Sequence, residues 1–560
     1  METDIFRQRK IPKDALCEIC NRELSSGYCE LCGRLVCNTC SKQVGYSLVC
    51  KECLQRDPKL NAFEYLREFI RRRSLRIREF SHEHMKKILE IKREKPNEFI
   101  YVHLGIDDTD SPFGMCTTYL GARLVEFLWN KVSFIDYPNL IRLNPNIPWK
   151  TRGNAAIALR FSISFSEFKN IKRSIVEFIS NSAHNFFRNT NPAVVLFYSS
   201  NKNLPDQFKS IYYKAVRDLF SVDSVLSQLR KINFGILEIY AYKEKSRGII
   251  GASAAIGADL LDYTYEILVY RLPKNLSSKR RVYSEDVLEM DRLLDFLSYD
   301  NVYKSRILIT PHGPDPVLFG IRGDFPEPLL AGFNLIRHES FDRWCLFKTN
   351  QGTNVHILDI DHIRVASPYL TVRITGKLTL DPIKQDGKVI IYLKDRKGNR
   401  FRAVFFHPTG DLKMMAAKLR KGDLVSLVGS VAPTSEDNIT LNSEEFFTLS
   451  IMPEIILGNP ICPSCGKKMK SKGKDAFFCP KCKFTIKNKR KLITLKNRIF
   501  PKENIRYTTP PSAHRHLTLP KERIFFRLLK VSRVIKPYLL VPFWGKTKVH
   551  PLELVRAPLL

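Results

Sequence analysis

Residues 103–120, HLGIDDTDSPFGMCTTYL, set three aspartates within four positions, behind an apolar run and ahead of a threonine pair. Carboxylates this close repel one another unless a cation neutralises them. Magnesium takes a few hard oxygen ligands, keeps several waters and shares its shell with phosphate oxygens. Asp107, Asp108 and Asp110 can therefore hold such an ion on a polyphosphate, although the same cluster suits a solvated acidic turn. Thr117 and Thr118 fall in the first turn of a helix predicted to begin near Met115. A hydroxyl there can cap the helix, coordinate the metal or accept a phosphoryl group. Cys116 reads as a small buried residue.

Further stretches carry groups suited to phosphate. NPNIPWKTRGNAA (144–156) brings Lys150, Arg152, Gly153 and Asn154 together ahead of a strand. KSRGIIGASAAIGA (245–258) places Arg247, Gly248 and Gly251 at the start of a small-residue helix. Such a start can cradle phosphate, or its glycines can serve close helix packing. TPHGPDPVLFGIRGD (310–324) adds His312 and Asp315 in a rigid turn after a strand.

Twelve of the 14 cysteines sit in CxxC pairs. In a reducing compartment that pattern reads as zinc ligation, because tetrahedral zinc takes four thiolates. Cys17/Cys20, Cys29/Cys32, Cys37/Cys40 and Cys50/Cys53 make two sites within residues 1–56. A module that small buries too little apolar surface to fold alone, so the metals supply folding energy. The spacing resembles cross-braced fingers of the FYVE type, which implies that pairs one and three share a zinc, as do pairs two and four. The basic RRHHC box of those fingers is replaced by CGRLVCNTC, so the patch that would meet anionic lipid is missing. Cys462, Cys465, Cys479 and Cys482 have the spacing of a lysine-rich zinc ribbon within 456–490, which makes about three zinc ions in all.

These groups need elements to hold them. FIYVHLGI is an apolar strand that delivers the aspartates beyond its carboxyl end, where α/β units bind ligands. AAIALRFSI (155–163), a helix through FKNIKRSIVEFI and AVVLFYS (193–199) continue a mixed α/β section over 99–230. FGILEIYAY (234–242), TYEILVYRL (264–272) and RILIT (306–310) predict a ferredoxin-like α+β section over 231–365. Residues 366–455 alternate with period two around one short helical piece, LKMMAAKLRK, the outline of an OB barrel that binds nucleic acid. Between finger and catalytic section, 57–98 reads as a basic connecting helix over 61–95. Leu66, Phe69, Ile70, Ile77, Phe80, Ile88 and Ile91 lie near one face, and Pro96 ends it. RRRSLRIR on its other face is either solvated or in contact with RNA. Residues 491–560 read as a basic C-terminal extension. The fold class is thus multidomain α+β.

The formal net charge is +34, from 91 Lys and Arg against 57 Asp and Glu, which points to a polyanionic partner. No apolar run approaches the roughly 18 to 20 residues of a membrane span, and the N-terminus lacks a secretory signal, so no membrane association and a cytoplasmic location are expected.

GIDDTDSPFGMCTTYL, RLNPNIPWKTRGN, RGIIGASAAIGA, PHGPDPVLFGIRGD, the barrel section, the CxxC…CxxC ribbon and YTTPPSAHRHLT follow one another in the order seen in the archaeal isoleucine-tRNA agmatinylcytidine synthetase (TiaS) family. The resemblance covers about residues 100–520. It implies that 99–230 is a kinase-like domain. It also implies that ATP, split to AMP and two phosphates, drives the joining of agmatine to C2 of the wobble cytidine in the CAU anticodon of an isoleucine tRNA. It implies phosphorylation of the C2 oxygen and autophosphorylation of Thr117. Asp107, Asp108 and Asp110 would hold magnesium. Lys150 and Arg152 would supply cationic help, with Gly153, Asn154, Arg247 and Gly248 also near ATP. His312 and Asp315 lie in a matching motif without an assigned role. Barrel and ribbon would clamp the tRNA.

The alternatives are a non-catalytic RNA-binding protein built from fingers and barrel, or an ATP-dependent enzyme using another amine or RNA. An acidic cluster would hinder mere binding to a polyanion. The N-terminal module lies outside the resemblance and is expected to be a further tRNA grip or a docking site for another protein.

Overall fold

The computed structural model describes residues 15–29, 34–44, 47–56, 86–90, 99–111, 114–148, 150, 153–184, 190–241, 246–433, 439–473, 476–487, 491–498, 501–528 and 541–549. They fall into two compact units, one drawn from 1–358, 367–371 and 511–560, the other from 359–366 and 372–510.

The first unit is organised by a twelve-stranded sheet. In chain order its strands include Lys86–Glu90 (β1), Phe99–Asp107 (β2), Asn139–Arg142 (β3), Ala155–Ser164 (β4), Ala193–Ser199 (β5) and Ile236–Ala241 (β6). Thr264–Arg271 (β7), Ser298–Tyr299 (β8), Val317–Gly323 (β9) and Phe341–Thr349 (β10) complete the main path. The spatial order is β8-β9-β7-β10-β3-β4-β2-β5-β6-β1. Neighbours along it are antiparallel except β10 and β3, whose parallel pairing at Lys348↔Asn139 and Thr349↔Leu140 joins the two halves.

Helices Thr117–Leu128 (α1) and Phe165–Ser182 (α2) cover one face of the first half, and Asp206–Arg217 (α3), Val222–Leu229 (α4) and Gly248–Gly257 (α5) cover the other. Because both faces are covered, the strands read as continuous apolar runs. The period of two still sorts them. Val194, Leu196 and Tyr198 of β5 join the α1/α2 core, whereas Ala193, Val195 and Phe197 join the α3/α4/α5 core. The second half runs strand, helix Ser284–Leu294 (α6), two strands, helix Pro326–Leu335 (α7), strand.

Three expectations change here. Lys86–Glu90, inside the predicted helix 61–95, forms strand β1, paired with β6 from Glu238↔Glu90 to Ala241↔Lys86. The open edge of β6 offers a row of backbone partners, and that pairing outweighs a weak helical preference. The remainder of that predicted helix lies outside the described residues. Ile236–Ala241, expected to open the second section, instead pairs with β5 in the first half. Residues 511–528 and 541–549, expected in a C-terminal extension, return to the first unit: Trp544–Gly545 pairs with β10, and Val541, Phe543 and Val549 enter the core. Arg523 is buried there and donates to Asp324 at 2.9 Å and to Asp262 at 2.5 Å. The sequence VPFW marks the apolar part of that return.

In the second unit, Thr371–Leu378 (β11), Lys388–Lys394 (β12), Arg400–Phe405 (β13), Leu424–Val431 (β14) and Thr440–Ser450 (β15) close into a five-stranded ring. Helix Asp411–Ala416 (α8) lies between the third and fourth strands, and β13 pairs β15 in parallel. Five strands and one short helix match the outline read from the alternating sequence. Glu454–Gly458 and Leu492–Lys496 pair beside a three-stranded ribbon at 470–487.

The cysteines gather in clusters, grouped as the resemblance to cross-braced fingers and the ribbon spacing imply. Cys17, Cys20, Cys37 and Cys40 form one group, Cys29, Cys50 and Cys53 a second, and Cys462, Cys465, Cys479 and Cys482 a third, each with ligand atoms within 4.8 Å of one another. Cys32 lies outside the described residues. The cross-braced sharing of pairs one and three is thus present. Five of the eight buried residues in the finger core are cysteines, beside Val36, Val44 and Val49. Stripped of metal, that core is too small to hold its chain together. Chelation should release about three zinc ions per chain and expose finger and ribbon to protease, while the sheet of the first unit keeps its far-UV signal. Limited proteolysis with metal analysis reads both.

Candidate active site

Strand β2 ends at Asp107, and the chain then turns sharply, with Asp108 at φ +54° and Met115 at φ +63°. Left-handed backbone in non-glycine residues is uncommon and concentrates at functional turns, with aspartate among the better-tolerated types. The turn is pinned from a neighbouring segment. The Asn191 N–H donates to Asp108 Oδ2 at 3.2 Å, and the Thr190 hydroxyl donates to the Asp110 carbonyl at 2.6 Å. The Thr109 hydroxyl donates to that of Thr117 at 3.1 Å, at the first residue of α1. Because Thr117 accepts this bond, its own proton stays available to a second acceptor.

Helix α5 packs on the strand carrying the loop, and its glycines serve that contact. A Cβ on Gly251 would lie 1.9 Å from Asp107 Oδ2, and one on Gly248 would lie 2.9 Å from the Asp107 carbonyl. Gly105 on β2 reciprocates: its Cβ would sit 2.1 Å from the Ala252 carbonyl oxygen. Gly251 therefore makes room for a carboxylate. Arg247, just ahead of α5, lies 3.6 Å from Asp108 Oδ2.

Burial pushes the Asp107 carboxyl well above the ordinary carboxylate range, and the charges of Asp108 and Asp110 push it further, against the opposing pull of Arg247. Among the described residues, the metal-binding groups with ligand atoms within 4.8 Å of one another are the cysteine clusters, and the three aspartates are not one of them. A hard ion that keeps its waters and shares a phosphate needs only one or two protein carboxylates. The hard-oxygen set fits magnesium on a polyphosphate.

These groups face one cavity of about 560 Å³ within the first unit. Asp107, Asp108, Asp110 and Thr117 line it, as do Arg247 and Gly251. Lys150, Gly153, Asn154 and Asp315 line it too. Lys150 folds back onto its own loop, donating to the carbonyls of Pro145 at 2.5 Å and Ile147 at 3.2 Å. Asp315 is held by Arg280 at 3.6 Å and by the Val317 N–H at 3.0 Å. Gly248 sits behind the lining, against Asn191 and Ala193. His312 lies on its turn and is not among the lining residues, and Arg152 lies outside the described residues.

Sequence reasoning missed four further lining residues, Arg142, Glu266, Arg322 and His516. Glu266 is buried, accepts from Gln351 at 2.5 Å, and lies 3.3 Å from Arg322 and 4.0 Å from Arg142. Burial drives the His516 imidazole well below its ordinary range, and the Arg142 and Arg322 charges drive it further, so it is neutral. The Arg142 Nε and His516 Nδ1 atoms are buried without a hydrogen-bond partner. Two guanidiniums against one carboxylate leave net positive charge beside the aspartate loop. Arg142, Arg322 and His516 stand in RLNPN, GIRGD and AHRH, so a signal existed for them. Glu266 sits in an ordinary strand and had none.

Family models described as the TiaS TCKD domain, the TiaS FLD domain and the TiaS C-terminal zinc ribbon domain match residues 103–241, 246–356 and 459–498. The isoleucine-tRNA agmatinylcytidine synthetase TiaS of Pyrococcus horikoshii is 39% identical over 426 residues, 75% of this chain and 96% of that relative. A solved complex of TiaS with its isoleucine tRNA and ATP is similar with TM-score 0.65 and 33% identity, covering 75% of this chain and 97% of that one. A complex of TiaS with the same tRNA, AMPCPP and agmatine is similar with TM-score 0.62 and 30% identity, covering 75% and 96%.

Proposed function

This chain belongs to the TiaS family, and from that premise we propose that it uses ATP to join agmatine to C2 of the wobble cytidine of the isoleucine tRNA with a CAU anticodon, forming 2-agmatinylcytidine. The observation that carries this reading is the cavity in which the aspartate loop, Thr117 and Arg247 meet. A chain that only gripped RNA would gain nothing from a carboxylate forced into a buried, like-charged corner.

The chemistry follows from the weakness of the cytosine C2 carbonyl, a poor electrophile with a poor leaving group. Phosphoryl transfer to its oxygen turns that oxygen into a phosphate ester. The primary amine of agmatine attacks C2, loses a proton, and the C2 oxygen leaves with phosphate. Asp107, Asp108 and Asp110 would hold magnesium, which when bound neutralises polyphosphate charge. Arg247 approaches from the start of α5, and Arg142 and Arg322 add positive charge on the Glu266 side. Transfer of the terminal phosphoryl to the C2 oxygen leaves ADP; Thr117, its hydroxyl oriented by Thr109, accepts the second phosphoryl, which leaves AMP, and water then releases that group from the threonine as the second phosphate. The neutral His516 imidazole offers a lone pair for orienting a donor.

Residues 99–241 serve as the kinase-like part and the section from Thr264 to Thr349 as a ferredoxin-like part, a reading supported by the strand–helix–strand–strand–helix–strand order and the β8-β9-β7-β10 arrangement. The ring at 366–455 serves as an OB barrel. With the lysine-rich ribbon it grips the tRNA, and the target base leaves its stack to enter the cavity. A cytoplasmic location suits both the partner and the thiolate sites.

The test is release of AMP from ATP. It should require both the isoleucine tRNA and agmatine, and should fall to background when either is withheld. AMP release independent of agmatine would contradict the proposed reaction.

A further inference from the structure

Residues 541–549 lie beyond the last family-matched residue, and they close the seam between the two halves of the sheet. Strand β10 gives one edge to β7 along its whole length, but its other edge is shared. Among the described residues, Lys348 and Thr349 alone pair with β3 of the first half. The residues ahead of them would be left with an open edge, and unpaired strand backbone is costly to bury. The C-terminal segment fills that place. Trp344 and Cys345 pair with Gly545 and Trp544, and the Leu346 N–H donates to the Phe543 carbonyl at 2.8 Å.

The same segment grips both halves. Toward the first, the Phe543 ring meets Trp129 at 5.0 Å, Phe134 at 5.4 Å and Tyr137 at 5.8 Å, and the Trp544 ring meets Trp129 at 5.6 Å. Trp129 caps the carboxyl end of α1, so this aromatic wedge holds the far end of the helix that begins at Thr117. Lys546 pairs with Glu126 of that helix at 2.6 Å, and Glu126 also pairs with Arg343 of β10. Toward the second half, the Trp344 indole N–H donates to the Thr547 carbonyl at 2.8 Å, and Asn334 donates to the Val549 carbonyl at 2.7 Å. Lys548 donates to the carbonyls of Asn334 at 2.9 Å and Ile336 at 3.1 Å, a cation at the carbonyl end of α7. Gly545 permits the close approach, since a Cβ there would lie 2.9 Å from Trp344 Nε1.

The cavity is built from the same two halves. The aspartate loop, Thr117 and Arg142 come from the first, and Glu266, Tyr299 and Arg322 from the second. No residue of 541–549 lines it. We propose that this C-terminal strap couples ATP use to agmatine transfer, by holding the two halves of the cavity in register from outside it, with Trp544 as a positioning residue. This rests on the reaction proposed above. With the halves in register, the amine attacks C2 and the C2 oxygen leaves with phosphate. With the seam loosened, the amine is misplaced and water enters. Water then attacks phosphorus, the bond from phosphorus to the C2 oxygen breaks, and phosphate and unmodified cytidine are released without agmatine.

The test is the ratio of AMP released to agmatine joined, measured on the full zinc-loaded chain. That ratio does not depend on how much of the protein is active, so a simple loss of folded chain leaves it unmoved. The parent should release AMP and join agmatine in equal amounts. Trp544→Ala removes the wedge, and Gly545→Val drives a side chain into the Trp344 indole. Each should raise the ratio about threefold to tenfold, with KM for ATP unchanged, because the aspartate loop stays with the first half. Trp544→Phe keeps an aromatic wedge and should keep the parent ratio. A ratio unchanged in both Trp544→Ala and Gly545→Val, whether or not kcat falls, would make the strap a stabilising element alone and overturn the proposal. A parent chain that releases AMP and joins no agmatine would overturn the reaction itself, and this coupling with it.

Discussion

Asp107→Asn should abolish agmatine transfer, lowering kcat by about a thousandfold or more, while leaving tRNA binding and zinc content intact. The carboxylate stands at the end of β2, against α5, with two like charges beside it and Arg247 as the opposing cation. Asparagine fills the same space without the charge. It cannot neutralise a cation on the triphosphate, so the charge shift during phosphoryl transfer is unsupported.

The same substitution should raise the thermal midpoint of the chain without nucleotide. The Asp107 carboxyl is raised above its ordinary range, by burial first and then by Asp108 and Asp110. A group raised on folding favours the folded chain below its unfolded pKa, and that advantage is lost as pH rises through the folded value. Above its unfolded pKa the buried carboxyl therefore opposes folding, which the neutral amide does not. The gain in midpoint for Asp107→Asn should be small near pH 4 and larger near pH 7. Calorimetric scans across that range check the sign, and loss of activity through unfolding would show as a lowered midpoint instead.

Gly251→Ala carries the second large effect. Its Cβ would meet Asp107 Oδ2 at 1.9 Å, Asp107 Cγ at 2.5 Å and Leu143 Cδ1 at 3.0 Å. Helix α5 cannot easily back away to make room, because its far side is seated on α3, where a Cβ on Gly257 would meet the Phe208 carbonyl oxygen at 1.9 Å. The aspartate must swing from its place or the helix must shift within the α3/α4/α5 core. A displacement of about 1 Å at a reacting group can cost roughly a hundredfold in rate, and overpacking a tight core costs about 1–3 kcal/mol. Gly251→Ala should show both, with KM for tRNA unmoved. Ser253→Ala on the same helix is the matched control. The Ser253 hydroxyl is buried without a partner, so its removal should not destabilise.

Local patterns were legible in the sequence and distant assemblies were not. The acidic turn, the CxxC pairs and the strand ahead of the aspartates are each encoded within a few residues, and the structure forms them where the spacing places them. Which CxxC pairs share a site was not encoded in the spacing: the resemblance to cross-braced fingers implied it, and the structure groups Cys17, Cys20, Cys37 and Cys40. Arg142, Glu266, Arg322 and His516 differ: they arrive from four separated segments, and they meet because β10 lies beside β3 and the chain after 511 returns to the first unit. The apolar VPFW marks part of that return, but no local signal says which strand it meets. Residues 86–90 show the converse limit, because KKILE has no strong preference and becomes a strand by completing an edge made by 236–241. Gly251 sits between the cases. Its stretch was legible as either phosphate cradle or close packing, and the distance to Asp107 shows that a carboxylate occupies the space a side chain would need.

The most direct test is mass spectrometry of a nuclease digest of the isoleucine tRNA bearing a CAU anticodon, after incubation with the chain, ATP, magnesium and agmatine. The wobble cytidine should gain agmatine with loss of its C2 oxygen, and should stay unmodified with Thr117→Ala or Asp107→Asn. A cytidine left unchanged by the parent chain, while the same chain binds the tRNA tightly, would contradict the synthetase reading.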